Sequence, residues 1–235
     1  MSHAAAEDFI HDGPHKGRRV AARPGHDIVE CENCGFKHAL PLPRAEDMEH
    51  PYREDYYATE KPTFLTHAGE DQAWAQLAQT DRLEIFESLL PPDRRRLLDI
   101  GCGPGFFLET AMRRGWLAHG IEPSRQAAAH ARGLGAPVTE GFFNSESAGA
   151  LGAFDVVHLN NVLEHIPDPA HLITLAHGLL EPGGVICINV PNDFSPMQLA
   201  GMTAAGATDW WVAPPHYMNY FDFESLTNLL DRLVF

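Results

Sequence analysis

The rhythm of apolar and polar positions changes along the chain. Up to about residue 62 the apolar residues are scattered among His, Pro, Gly and charged residues with no sustained period. From about 72 to 90, Trp74, Leu77, Leu83, Phe86, Leu89 and Leu90 recur at helical spacing, and Pro91-Pro92 closes the run. Short apolar runs then alternate with amphipathic ones. They predict strands at 97–101, 117–121, 136–139, 154–159 and 185–190, and helices at 106–114, 124–132 and 169–180. A turn is expected at 181–184, an irregular stretch at 192–215 and a last helix at 223–233. Such alternation predicts an α/β fold with parallel strands joined by crossover helices, a domain over 63–235 preceded by a small appendage over 1–62.

Length and charge narrow the classes. At 235 residues and 44% hydrophobic content, the chain can bury one large core. Its 32 acidic residues outnumber 17 Lys and Arg, which argues against nucleic acid as a partner, because that binding neutralises phosphates with clustered basic groups. No apolar run resembles a signal peptide or a membrane span, so a cytoplasmic protein without a membrane partner is expected. In that reducing compartment Cys102 and Cys187 read as small buried hydrophobes.

The candidate chemistry begins at residues 97–105, LLDIGCGPG. An acid, Asp99, precedes Gly101, Gly103 and Gly105, and a second acid, Glu122, ends the next apolar run. Glycine lets a nucleoside or amino-acid moiety approach the backbone closely and permits the positive φ of a tight turn. Phe106 stands where G-x-G-x-x-G demands glycine, which weighs against a nicotinamide-dependent oxidoreductase.

LLDIGCGPGFFLETAMRRGWLAHGIEPS, FDVVHLNNVLEHIPDP and LLEPGGVICINVPN together resemble the three successive signature blocks of class I S-adenosyl-L-methionine-dependent methyltransferases. The resemblance covers about residues 72–233 and implies a Rossmann-like, doubly wound, mostly parallel sheet that binds S-adenosyl-L-methionine and releases S-adenosylhomocysteine. It implies that Asp99, Gly101, Cys102, Gly103 and Gly105 surround the methionine portion. Glu122, followed by Pro123, takes both ribose hydroxyls; Phe142 lies at the adenine; Asn160 and Asn161 face the methionine moiety. Asp99 could instead cap loop N–H groups. Glu164 and His165 read as holding a loop by hydrogen bonds.

Methyl transfer from a sulfonium is an in-line displacement, for which the protein supplies alignment and a dry pocket. A hydroxyl acceptor also needs a base. The segment 209–222, DWWVAPPHYMNYFD, sits where the family builds its acceptor wall, with His216 as candidate base or loop anchor and Trp211, Tyr217 and Tyr220 as candidate substrate-binding residues or packing. No acid pair suggests a catalytic magnesium, so metal-independent chemistry is expected. The expected function is methyl transfer to a small hydroxylated acceptor such as a sugar, a polysaccharide intermediate or a metabolite. The alternative is a cofactor-binding scaffold without turnover that supports a partner enzyme.

Cys31-Glu-Asn-Cys34-Gly is half of a zinc ribbon. His11 and His15 could complete a structural zinc site, with His26 and His38 also nearby in sequence; the other reading is a metal-free turn. Tyr56 or Tyr57 could cover the cofactor or form a hydrophobic clamp. The family sheet has seven strands and this chain offers five, which suggests a shortened chain or a homodimer that covers the fifth strand.

Overall fold

The computed structural model describes residues 10–11, 14–43, 72–206 and 208–233. The boundary expected at residue 62, together with Tyr56 and Tyr57, lies outside them. The fold comprises two compact units.

In the first unit, β1 (Ile10–His11), β2 (Gly17–Arg23), β3 (His26–Cys31) and β4 (Lys37–Leu40) run antiparallel, and the short strand Asn219–Tyr220 pairs with β4. Pro24 and Gly25, the latter at φ 77°, turn β2 into β3. Gly17 permits the ladder to close, since a Cβ there would stand 2.0 Å from the Glu30 carbonyl oxygen. Ile28 and Ala39 pack with Trp211, Val212 and Tyr220. This sheet corrects the expectation of an aperiodic start. The ladder between Arg19 and Ala21 is irregular, which breaks the alternation of β2, and three of the five buried core residues, Trp211, Val212 and Tyr220, come from far along the chain.

The second unit is the expected parallel sheet. It contains α1 (Gln72–Leu89), β5 (Arg96–Ile100), α2 (Phe106–Arg113), β6 (Leu117–Glu122), α3 (Arg125–Gly133), β7 (Val138–Glu140), α4 (Ser145–Gly149), β8 (Phe154–Asn160), most of α5 (Pro169–His177) and β9 (Leu180–Asn189). The strand order is β7-β6-β5-β8-β9. Leu97, Leu98, Val156, Val157 and Leu159 are fully buried, as a sheet covered on both faces requires, which explains their unbroken apolar runs. The chain leaves β5 toward β6 on one side and returns to β8 on the other. Their carboxyl ends therefore flank the point where the winding reverses, the place where such sheets hold ligands.

Two details differ from the sequence expectation. Leu83, Phe86 and Leu90 join the core beside Phe107, Leu108 and Trp116, whereas Leu77 and Leu89 of the same predicted stripe are exposed. The expected 181–184 turn lies inside β9: pairing jumps from Phe154 with Leu180 to Val156 with Val185, and Gly183, at φ 71°, accommodates the extra residues.

In the first unit, α6 (Pro196–Ala205) replaces part of the irregular stretch expected at 192–215. Ser195 caps it, Pro196 opens it and Gly206 closes it at φ 62°. Asn219–Tyr220 becomes β10, and α7 (Phe223–Leu233) follows as expected.

Candidate active site

The site in the parallel unit is built first by backbone. Gly101, Gly103 and Gly105 have φ of 71°, 53° and 86°, which L side chains rarely adopt. A Cβ at Gly101 would stand 2.7 Å from Val162 Cγ2, and one at Gly105 would stand 2.5 Å from Ala131 Cβ. Gly101 and Cys102 both donate their N–H to Ile121 O, at 2.8 and 3.1 Å, binding the turn to β6. Helix α2 then starts at Gly105 without a side-chain cap, leaving first-turn N–H groups for a ligand or water. Cys102 is buried and packs toward β6, where a Cβ on Gly120 would lie 2.5 Å from its Sγ.

Glu122 closes the cradle. Its carboxylate is buried; Oε2 accepts from Gly103 N at 2.9 Å and Oε1 from Ser124 N at 2.8 Å. Burial nonetheless pushes its pKa up to about 7, with the nearby Asp99 charge adding to the rise. Each oxygen has a further lone pair, so two hydroxyl donors would satisfy the charged form. Pro123 lies between the carboxylate and Ser124, which caps α3 by accepting from Ala127 N. A vicinal diol fits these donor requirements.

A polar chain crosses the sheet beside the turn. Asp99 on β5 and His158 on β8 are register partners, and His158 Nδ1 donates to Asp99 Oδ1 at 2.6 Å. Arg82 of α1 donates to His158 Nε2 at 2.9 Å and to Asn160 Oδ1 at 3.4 Å; Asn189 donates to the same oxygen at 2.8 Å. Asn161 occupies the left-handed region at φ 55°, with its N–H on Asn189 O at 2.8 Å. Phe142 is half-buried after β7, its carbonyl accepting from Ser147 Oγ at 3.1 Å. The structure thus joins Gly103 to Glu122 directly, and Asp99 to Asn160 through His158 and Arg82. Sequence reasoning missed those last two. A histidine inside FDVVHLN was a signal; Arg82 gave none.

The candidate acceptor residues belong to the antiparallel unit. His216 is half-buried, and its carbonyl accepts from His165 Nδ1 at 2.5 Å. Tyr217 donates to Asp193 Oδ2 at 2.7 Å, and Tyr220 donates to Tyr217 O at 2.9 Å. Burial, reinforced by Asp193, holds the Tyr217 phenol far above its ordinary pKa, and burial raises Tyr220 and Asp193 as well. Trp211 and Tyr220 lie in the core, Trp211 edge-on to Phe194 at 5.8 Å between ring centroids, whereas Trp210 is exposed. Met218 N donates to Glu164 O at 2.7 Å, so the 163–165 turn holds this segment at two points.

Near β3, ligand atoms of His15, Cys31, Cys34 and His38 all lie within 4.8 Å of one another. Of the candidate ligands, His15, Cys31 and Cys34 come together with His38; of His11 the backbone alone is described, opposite Gly17 in β1.

Comparison with known proteins agrees with this architecture. The methyltransferase-domain family matches residues 72–233. A ubiquinone biosynthesis O-methyltransferase of Ralstonia nicotianae is 36% identical over 109 residues, 44% of this chain and 46% of that protein. One of Pseudomonas aeruginosa is 36% identical over 104 residues, 42% and 45% of the two chains. The chain thus spans about half the length of the curated relatives it matches. A SAM-dependent methyltransferase from Archaeoglobus fulgidus superposes with a TM-score of 0.53 at 24% identity, covering 68% of each chain. The plantazolicin methyltransferase BpumL, solved with SAH, gives 0.57 at 15% identity over 80% of this chain and 73% of its own. No helix among the described residues is long and apolar enough to cross a membrane. The chain belongs to the methyltransferase-domain family, and its parallel unit has the class I S-adenosylmethionine-dependent methyltransferase fold.

Proposed function

We propose that the chain binds S-adenosyl-L-methionine over the glycine turn and transfers its methyl group to the oxygen of a small hydroxylated acceptor. The observation that carries the reading is Glu122: a buried carboxylate, anchored on both oxygens by backbone N–H groups, that still lacks enough donors to keep its charge at an ordinary pKa. Ribose hydroxyls supply two. Gly101, Gly103 and Gly105 give the methionine portion backbone without Cβ atoms, and Asn160 and Asn161 take its polar end. Phe142 offers adenine an apolar face. The bound cofactor supplies an electrophilic methyl on a sulfonium.

An oxygen acceptor is supported by the relatives named as O-methyltransferases. We assign the base to His216, with Tyr217 and Trp211 shaping the acceptor segment around it. The hydroxyl of Tyr217 is already donated to Asp193 and that of Tyr220 to the Tyr217 carbonyl, and their raised pKa values make them poor bases near neutrality.

Isothermal titration with S-adenosylhomocysteine, followed by labelled-methyl transfer to a panel of phenols, sugars and hydroxy acids, tests the reading. Binding that is lost in Glu122→Ala, with turnover reduced about 10²-fold or more in His216→Gln at unchanged cofactor affinity, is the expected result. No binding by the unaltered chain sinks the cofactor assignment. Binding without transfer to any acceptor would leave the scaffold role.

A further inference from the structure

The turn that ends β3 presents two thiols, and both strands around it are built for them. Gly35, at φ 78°, doubles the chain back so that its N–H reaches Cys31 O at 2.8 Å, while Cys34 N–H points at Cys31 Sγ at 3.4 Å. His15 Nδ1 lies 3.5 Å from Cys34 Sγ, and the His15 and His38 rings meet edge-on at 4.7 Å. His38 is buried in β4 and donates from Nδ1 to Ala39 O at 3.0 Å; a carbonyl can only accept, so in the neutral ring the lone pair is on Nε2.

We propose that His15, Cys31, Cys34 and His38 bind one zinc ion in a closed structural site. Tetrahedral zinc with thiolate and imidazole ligands has ligand-to-ligand edges of roughly 3.3–3.8 Å. The four atoms all lie within 4.8 Å of one another, about 1 Å beyond those edges, so a small inward movement of the side chains brings them to one ion. Two thiolates balance the dication, so the complex is neutral and compatible with the burial of Cys31 and His38. The bond from His38 Nδ1 to a backbone carbonyl is the usual support for an imidazole that ligates through its other nitrogen. Four protein ligands leave no open position, which makes the ion a brace and not a reaction centre.

The brace has a defined reach. Asn33 Nδ2 donates to Pro14 O at 2.8 Å and Glu32 N to Lys16 O at 2.9 Å, tying the segment that carries His15 to the cysteine turn. On the other side His38 lies opposite Asn219 in the ladder, and Ala39 N donates to Met218 O at 2.7 Å. Zinc at His38 would therefore fix the strand on which residues 218–220 are laid, next to Tyr217 and His216. This inference stands apart from the methyl-transfer reading.

Elemental analysis of the full chain produced with zinc present, together with the visible spectrum after cobalt(II) exchange, tests it. About one zinc per chain and the bands of a tetrahedral thiolate-imidazole cobalt site are expected. His38→Ala and Cys34→Ser lower occupancy at least about tenfold, and His11→Ala leaves it unchanged. In the unaltered protein, removing zinc with a chelator accelerates amide exchange at Gly35, Ala39 and Met218 while Ile100 and Leu159 hold theirs, a readout that needs no variant to fold. Less than about a tenth of a zinc per chain with no cobalt spectrum overturns the site. Loss of metal in His11→Ala with retention in His38→Ala overturns the ligand set.

Discussion

His158 donates from Nδ1 to Asp99 Oδ1 at 2.6 Å across the register pair that joins β5 to β8, while Arg82 donates to its Nε2. Because arginine is a donor only, the two bonds fix the imidazole tautomer, with its proton toward the acid. The pair sits where the sheet's winding reverses, so an acid near the carboxyl end of β5 is held in one orientation by its neighbour on β8.

Removing one partner of this pair should cost more than removing both. His158→Leu leaves Asp99 buried without its neighbour and is expected to lower stability by about 3–5 kcal/mol. Asp99→Leu together with His158→Leu should recover at least half of that loss while cofactor binding stays impaired. A double-mutant cycle from denaturant unfolding checks the coupling.

Cofactor affinity should depend on pH through Glu122. Its folded pKa of about 7 lies above the ordinary 4.5, so the ligand-free folded chain holds a proton there that the unfolded chain releases. This group therefore favours folding at low pH, and that contribution is lost as pH rises from about 4.5 through 7. Ribose hydroxyls reverse the preference by donating to the charged form. Affinity for S-adenosylhomocysteine is expected to weaken below pH 7, approaching tenfold per unit, with proton release on binding in that window. Calorimetry in two buffers of different ionisation enthalpy measures both.

Two separate obstacles meet a methyl at Gly101. Its Cβ would collide with Val162 Cγ2 at 2.7 Å, and its φ of 71° disfavours any L side chain. Gly101→Ala should therefore lose about 2–3 kcal/mol, of which Val162→Ala restores only the steric part, leaving about 1 kcal/mol of backbone strain. Thermal unfolding of the single and double variants separates the two.

Tyr217→Phe should cost about 1–2 kcal/mol, because the nearly inaccessible Asp193 loses the phenol that donates to it at 2.7 Å. The loss should be larger at pH 8 than at pH 4, since burial raises the Asp193 pKa and a protonated acid needs the donor less. Denaturant midpoints at both pH values test this.

By itself the sequence determined the parallel sheet. Strands buried on both faces must be apolar throughout, and residues 97–100 and 156–159 show this without neighbours. Glycines that need positive φ and an acid at a strand end were legible for the same reason: their requirement is local. The antiparallel sheet was not, because Ile28 and Ala39 find their apolar partners in Trp211, Val212 and Tyr220, nearly two hundred residues away. Nor could spacing show that His38 neighbours the cysteines, since the hairpin register of β3 and β4 places it there. Arg82 reached the Asp99–His158 pair only through the packing of α1 on the sheet. Local chemistry is written in the order of residues; which distant side chains complete it depends on how the elements pack.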